Sequence, residues 1–139
     1  MRVVLDTSVL IAALAKPSGA AGRIVRAWRG GDIEAVASEA TLREAELVIG
    51  AGWAARLASR GEVERLLRDL RERTVRVTPQ AIRDLSLKDE GDLRLVEAAV
   101  AADASYVITA DRELLSKRGY GHTEFVTPSE FWARWRKTS

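Results

Sequence analysis

Apolar positions along the chain gather in short runs, and their spacing switches repeatedly between strand-like and helix-like. Arg2–Leu5 holds Val3, Val4 and Leu5 in succession and ends at Asp6, the pattern of a strand buried on both faces. Residues 8–14 are apolar and read as the start of a helix, which Pro17, Ser18 and Gly19 interrupt. Ala20–Arg29 places Ile24, Ala27 and Trp28 at helical spacing and stops at Gly30 and Gly31. Residues 33–37 read as a strand, and Ser38 as the N-cap of a helix over Glu39–Ile49. Beyond Gly50 and Gly52, residues 53–59 offer a further turn or two of helix. Residues 62–73 are amphipathic, with Val63, Leu66, Leu67 and Leu70 on one face.

The second half repeats the alternation. Residues 74–77 read as a strand, Thr78 and Pro79 as the start of a short helical segment, and residues 86–91 as a polar loop. Residues 92–103 form a helix rich in alanine, whose small side chains suit close packing on a sheet. Residues 105–109 are a strand, followed by Asp111 and a short helix to Ser116. A turn at 119–121 leads to a last strand, 124–126. Thr127, Pro128, Ser129 and Glu130 form a capping box with proline at the first helical position. The helix it starts carries Phe131, Trp132 and Trp135, a cluster suited to covering a sheet edge or a dimer seam, or to stacking on bases. Strands alternate with helices and lack period-2 alternation, so the expected fold is α/β with a mostly parallel sheet covered on both faces. No repeat or linker divides residues 1–139, which are expected to form one domain.

Composition narrows the chemistry. One histidine, His122, and no cysteine rule out a structural zinc site of Cys and His and RNA cleavage by a histidine pair. A Ser-His-Asp triad would rest wholly on His122, with no G-x-S-x-G nearby. No glycine-rich phosphate loop of the G-x-x-x-x-G-K-[ST] or G-x-G-x-x-G kind occurs. No apolar run approaches the roughly 20 residues of a membrane span, and residues 1–14 lack the basic start of a secretory signal, so a cytoplasmic location is expected. The net charge is +2, and only four of the 22 basic residues are lysines. Arginine suits phosphate recognition, although a heat-adapted surface gives the same count. The groups left for catalysis are carboxylates.

In an open parallel sheet, ligands bind beyond the carboxyl ends of the strands. Asp6 follows the first strand, Asp111 follows the strand ending near Thr109, and Asp92 starts the helix that feeds that strand. Each of the three is also well placed as a helix N-cap. Gathered in one cleft, they would repel each other unless a hard divalent cation, Mg2+ or Mn2+, were bound among them. Such an ion suits phosphodiester hydrolysis. In the helix after Ser38, Glu44 and Glu46 flank the apolar arc on opposite sides, and periodicity does not choose between them; Glu39 lies at the helix start.

Residues 4–10, Val-Leu-Asp-Thr-Ser-Val-Leu, resemble the opening of the PIN domain family, a hydrophobic strand followed by D-T-N-V-[LI]. Residues 38–49, 92–99 and 106–115 resemble its later blocks in order and spacing, and residues 124–131 its common ending T-P-x-E-F. The resemblance implies an α/β/α sandwich and a Mg2+- or Mn2+-dependent ribonuclease acting on single-stranded RNA. It implies metal-coordinating, catalytic roles for Asp6, Asp92 and Asp111, and favours Glu44 over Glu46 as the fourth acid. Thr109 and Ser8 would orient a carboxylate or the phosphate. The subgroup it resembles holds toxins of toxin–antitoxin pairs, which implies a homodimer and an antitoxin protein that blocks the cleft. Ser8 stands where the family usually has Asn, Asp103 where Gly is common, and Glu39 where Pro is frequent.

Two other readings compete. A PIN-like domain without useful catalysis would act through RNA or protein contacts, with Ser8 as its support. A phosphoacceptor fold would use Asp6 as nucleophile, but a phosphatase of that kind wants a second Asp at position 8, where Ser8 stands.

Overall fold

The computed structural model describes residues 1–138. Strands β1 (Arg2–Leu5), β2 (Glu34–Ala37), β3 (Thr74–Arg76), β4 (Tyr106–Ile108), β5 (Gly119–Tyr120) and β6 (Thr123–Val126) form one sheet in the order β3-β2-β1-β4-β6-β5. All neighbours are parallel except β5, which pairs antiparallel with β6. The helices are α1 (Thr7–Ala15), α2 (Ala20–Arg29), α3 (Glu39–Ile49), α4 (Arg60–Arg73), α5 (Glu90–Ala101), α6 (Arg112–Lys117) and α7 (Pro128–Thr138).

The strands lack polar alternation because both sheet faces are covered. Val3, Ala35, Ile108 and Val126 point to one core, where α1, α2 and α4 supply Leu10, Ile24, Trp28 and Leu66. Val4, Val36, Val107 and Phe125 point to the other, where α5 and α6 supply Leu95, Val96, Ala99 and Leu114. Helix α3 joins the first core through Leu42, Ala45 and Ile49. The result is a three-layer α/β/α sandwich.

The ends of several elements differ from the sequence expectation. Helix α1 starts at Thr7, one residue early. Helix α4 starts at Arg60, two residues early, because Ser59 accepts a hydrogen bond from the Glu62 amide and caps it. Helix α5 starts at Glu90, inside the expected polar loop, with Asp89 as its cap. Asp92 is therefore not an N-cap; it sits one turn inside. The expected turn at 119–121 contains the short strand β5. Trp53–Arg56 forms a single 3₁₀ turn.

No helix forms at Thr78 and Pro79. Residues 77–89 run instead as an irregular strap over the α5 face. Ile82 is buried there, and the amides of Gln80 and Ile82 donate to the backbone and side-chain oxygens of Glu97. The Lys88 amide donates to Glu113 at 2.9 Å and the Tyr120 hydroxyl to Asp84 at 2.5 Å. These external partners replace the intrahelical bonds the segment lacks, and they deliver Asp89 to the head of α5.

In α7, Thr127 and Glu130 exchange side-chain bonds with each other's amides, the expected capping box. Phe131 is fully buried, edge-on to Tyr106 at 5.3 Å and stacked with Trp135 at 6.3 Å, so it is closed to bases. Trp132 lies beneath the Arg23 guanidinium of α2, 6.0 Å from the ring centre. Of the three aromatic residues, Phe131 at least serves to cover the sheet.

Candidate functional site

The chain runs from β1 outward through β2 to β3, then returns to place β4 on the opposite side of β1. The connections after β1 and β4 therefore diverge, opening a crevice at the strands' carboxyl ends. A cleft of about 400 Å³ lies there, lined by Asp6, Ser8, Glu44, Asp89, Asp92 and Asp111 among others.

Each acid is held differently. The Asp6 amide extends the sheet by donating to Ile108 at 3.0 Å. Asp6 is the N-cap residue of α1, but its carboxylate makes no cap bond. Its Oδ2 accepts from the Thr109 hydroxyl at 2.6 Å and the Ser8 hydroxyl at 3.1 Å. Thr109 is fully buried, and its Oγ1 also accepts the Asp111 amide at 2.9 Å. Ser8 Oγ accepts the Ala110 amide at 3.3 Å, so the shorter residue still ties Asp6 to the loop after β4. Asp111 caps α6, its Oδ1 accepting from the Leu114 amide at 2.9 Å.

Asp92 is the least settled of these groups electrostatically. Its residue is only 8 % exposed, and its Oδ2 has no hydrogen-bond partner. Burial first, then the charges of Asp111, Asp89 and Asp6 and a hydrogen bond with Asp111, push its carboxyl from 3.8 up to about 7.

Glu44 lines the cleft, where its carboxylate lies against Gly91 of α5. Glu46 turns away and pairs with Arg71 at 2.7 Å. Glu39 stands 3.5 Å from Arg76. Asp89 joins the cleft wall although sequence reasoning assigned it to a loop. The pattern Asp89-x-x-Asp92 before an apolar run is a capping-box spacing and was the available signal. His122 lies in the turn entering β6, at the opposite end of the sheet from the cleft.

A model of the PIN domain family matches residues 2–113. The chain belongs to the PIN domain family. That membership carries a nuclease-type, hydrolytic function in general, and it separates the chain from the phosphoacceptor folds. No curated protein and no solved structure matches it.

PIN domains usually use divalent metal ions. Among the described residues, no three acidic side chains are gathered tightly enough to hold an ion in the arrangement seen. The donor chemistry nonetheless fits such an ion. The acids facing the cleft supply oxygen only, which suits Mg2+ and Mn2+. The unpartnered, buried Asp92 Oδ2 is a polar atom that lacks the partner burial demands.

Proposed function

We propose that this PIN domain is a divalent-metal-dependent endoribonuclease acting on single-stranded RNA. The observation that carries the reading is Asp92, buried with one oxygen unpartnered among Asp6, Asp89 and Asp111. A protein gains nothing in stability from such a group, and a cation bound beside it would satisfy the free oxygen and offset the repulsion.

Asp6, Asp92, Asp111 and Glu44 are the residues that would hold Mg2+ or Mn2+. Bound there, the ion would polarise a phosphate and an attacking water. The chain's own residues do the positioning. Thr109 and Ser8 hold Asp6 through Oδ2 and leave Oδ1 outside both bonds. The cap bond to Leu114 holds Asp111 through Oδ1. Hydrolysis adds water across a P–O bond, so one proton must leave the water and one must reach the departing oxygen. With His122 at the far end of the sheet, those protons fall to carboxylates and solvent.

The same reading makes the chain the toxin of a toxin–antitoxin pair, acting in the cytoplasm as a homodimer and silenced by an antitoxin protein. The PIN family supports a nuclease; the resemblance of the sequence blocks to toxin PIN domains supports this finer role.

The test is incubation of purified protein with labelled single-stranded RNA in Mn2+ or Mg2+, beside EDTA and Asp6→Asn controls. Cleavage lost in both controls is the expected result. An Asp6→Asn variant that cleaves as fast as wild type, in preparations free of other nucleases, would overturn the assignment. Absence of cleavage over a broad RNA panel would favour a binding module.

A further inference from the structure

Gly91 is the second residue of α5, after its cap Asp89 and Glu90. A Cβ built on it would lie 3.0 and 3.1 Å from the two carboxylate oxygens of Glu44, and 3.0 Å from Asp89 Oδ1. Contacts this short are rare for a real Cβ, so a side chain at position 91 must displace its neighbours by a few tenths of an ångström. The backbone there does not require glycine, because α5 is helical at Gly91 and its φ is not positive. Glycine even weakens a helix relative to alanine. What its missing side chain provides is room for the Glu44 carboxylate to approach the head of α5, in the cleft that Asp92 with its unpartnered oxygen also lines.

We propose that Gly91 is a positioning residue, which lets Glu44 of α3 reach the cation site across the cleft from Asp6 and Asp111. The inference rests on the metal-dependent reading above. Ligand distances in metal sites tolerate only about 0.2 Å of error. A displacement of a few tenths of an ångström at Glu44 is therefore felt by the ion and hardly at all by the fold.

The experiment is titration of the apo protein with Mn2+, followed by electron paramagnetic resonance of the free ion, for wild type, Gly91→Ala, Gly91→Val, Glu44→Ala and the double variant Glu44→Ala/Gly91→Ala. Thermal unfolding in EDTA reports the fold. Gly91→Ala is expected to bind Mn2+ several-fold more weakly, and Gly91→Val more weakly still, within the roughly 10–100-fold seen when groups supporting metal ligands are lost. Gly91→Ala keeps or raises the unfolding temperature in EDTA, which a merely structural role would not combine with weaker binding. In the Glu44→Ala background, Gly91→Ala costs nothing further. Equal Mn2+ affinity in wild type and both Gly91 variants would overturn the proposal. A loss that persists in the Glu44→Ala background would overturn the route through Glu44 and point to Asp89. A wild-type protein that binds no Mn2+ would remove the metal-dependent reading itself, and this inference with it.

Discussion

Asp92→Asn is expected to stabilise the metal-free protein at pH 8 and to do nothing at pH 4. The carboxyl of Asp92 is raised from 3.8 to about 7 in the folded chain, chiefly by burial and then by Asp111, Asp89 and Asp6. Between those two values the folded state holds a proton that the unfolded state has released. Linkage then gives the sign: this group's contribution is most favourable below about pH 4, declines as pH rises to about 7, and is flat above. The rise from 3.8 to about 7 is worth ~4 kcal/mol at most. The cleft beside the carboxyl is open to water on one side and screens part of that, so about 2 kcal/mol is the working figure. For a chain of this length, that is roughly 8 °C in Tm.

Asparagine keeps the shape and removes the charge. The measurement is thermal unfolding by circular dichroism in EDTA from pH 4 to 8, read as the difference between variant and wild type so that other titrating groups cancel. The difference should grow from near zero to about 8 °C across that range. A variant equal to or less stable than wild type at pH 8 would refute the argument, and so would a difference independent of pH. Saturating Mn2+ should then reverse the order. At a hundred times its Kd, the ion stabilises by about 2.7 kcal/mol whichever form binds it, and the wild type should bind it far more tightly.

Thr109→Val removes the 2.6 Å donor to Asp6 and the acceptor of the Asp111 amide in one isosteric change. It should weaken Mn2+ binding roughly 10–100-fold, measured by titration, while Thr109→Ser restores most of the affinity; equal binding by wild type and the valine variant would show that the hydroxyl does not orient the site. Asp103 has φ +51°, a left-handed conformation that costs a non-glycine residue free energy. Asp103→Gly should therefore raise Tm by a few degrees, for a gain of about 0.5–1 kcal/mol, and Asp103→Val should lower it.

The element order was legible because β1, β2 and β4 carry apolar residues in succession and most helices begin or end at a residue with local capping chemistry. Where the reading slipped, the determining contact was distant in sequence or shared between two candidates. Residues 77–89 carry Pro79 in a position acceptable to a helix, yet Glu97 and Glu113 hold their amides from elsewhere in the fold. Asp92 read as the cap of its helix, but Asp89, three residues earlier in the expected loop, caps it instead and leaves Asp92 one turn inside, facing the cleft. Asp103 was legible in another sense: aspartate where glycine is common marked a backbone position that has positive φ. Glu44 and Glu46 flank the same apolar arc, and periodicity does not separate them; in the fold Glu44 lines the cleft while Glu46 pairs with Arg71 of α4.

Cap and ligand stand as rival roles for Asp6, Asp92 and Asp111 in the sequence, and the geometry dissolves that rivalry for Asp111. A carboxylate has two oxygens. Asp111 Oδ1 accepts from the Leu114 amide and Asp89 Oδ1 from the Gly91 amide. Asp6 follows the same division with hydroxyl donors, both on Oδ2. In every case one oxygen fixes the side chain and the other is not used for that bond. Asp92 is the exception, with an unpartnered oxygen and a pKa raised first by burial and then by the charges of Asp111, Asp89 and Asp6. Anchoring the outer acids prevents them from swinging away to relieve the repulsion, so the strain collects at Asp92. On this argument the free energy released when a cation arrives should be largest at Asp92, although no backbone amide or hydroxyl anchors it.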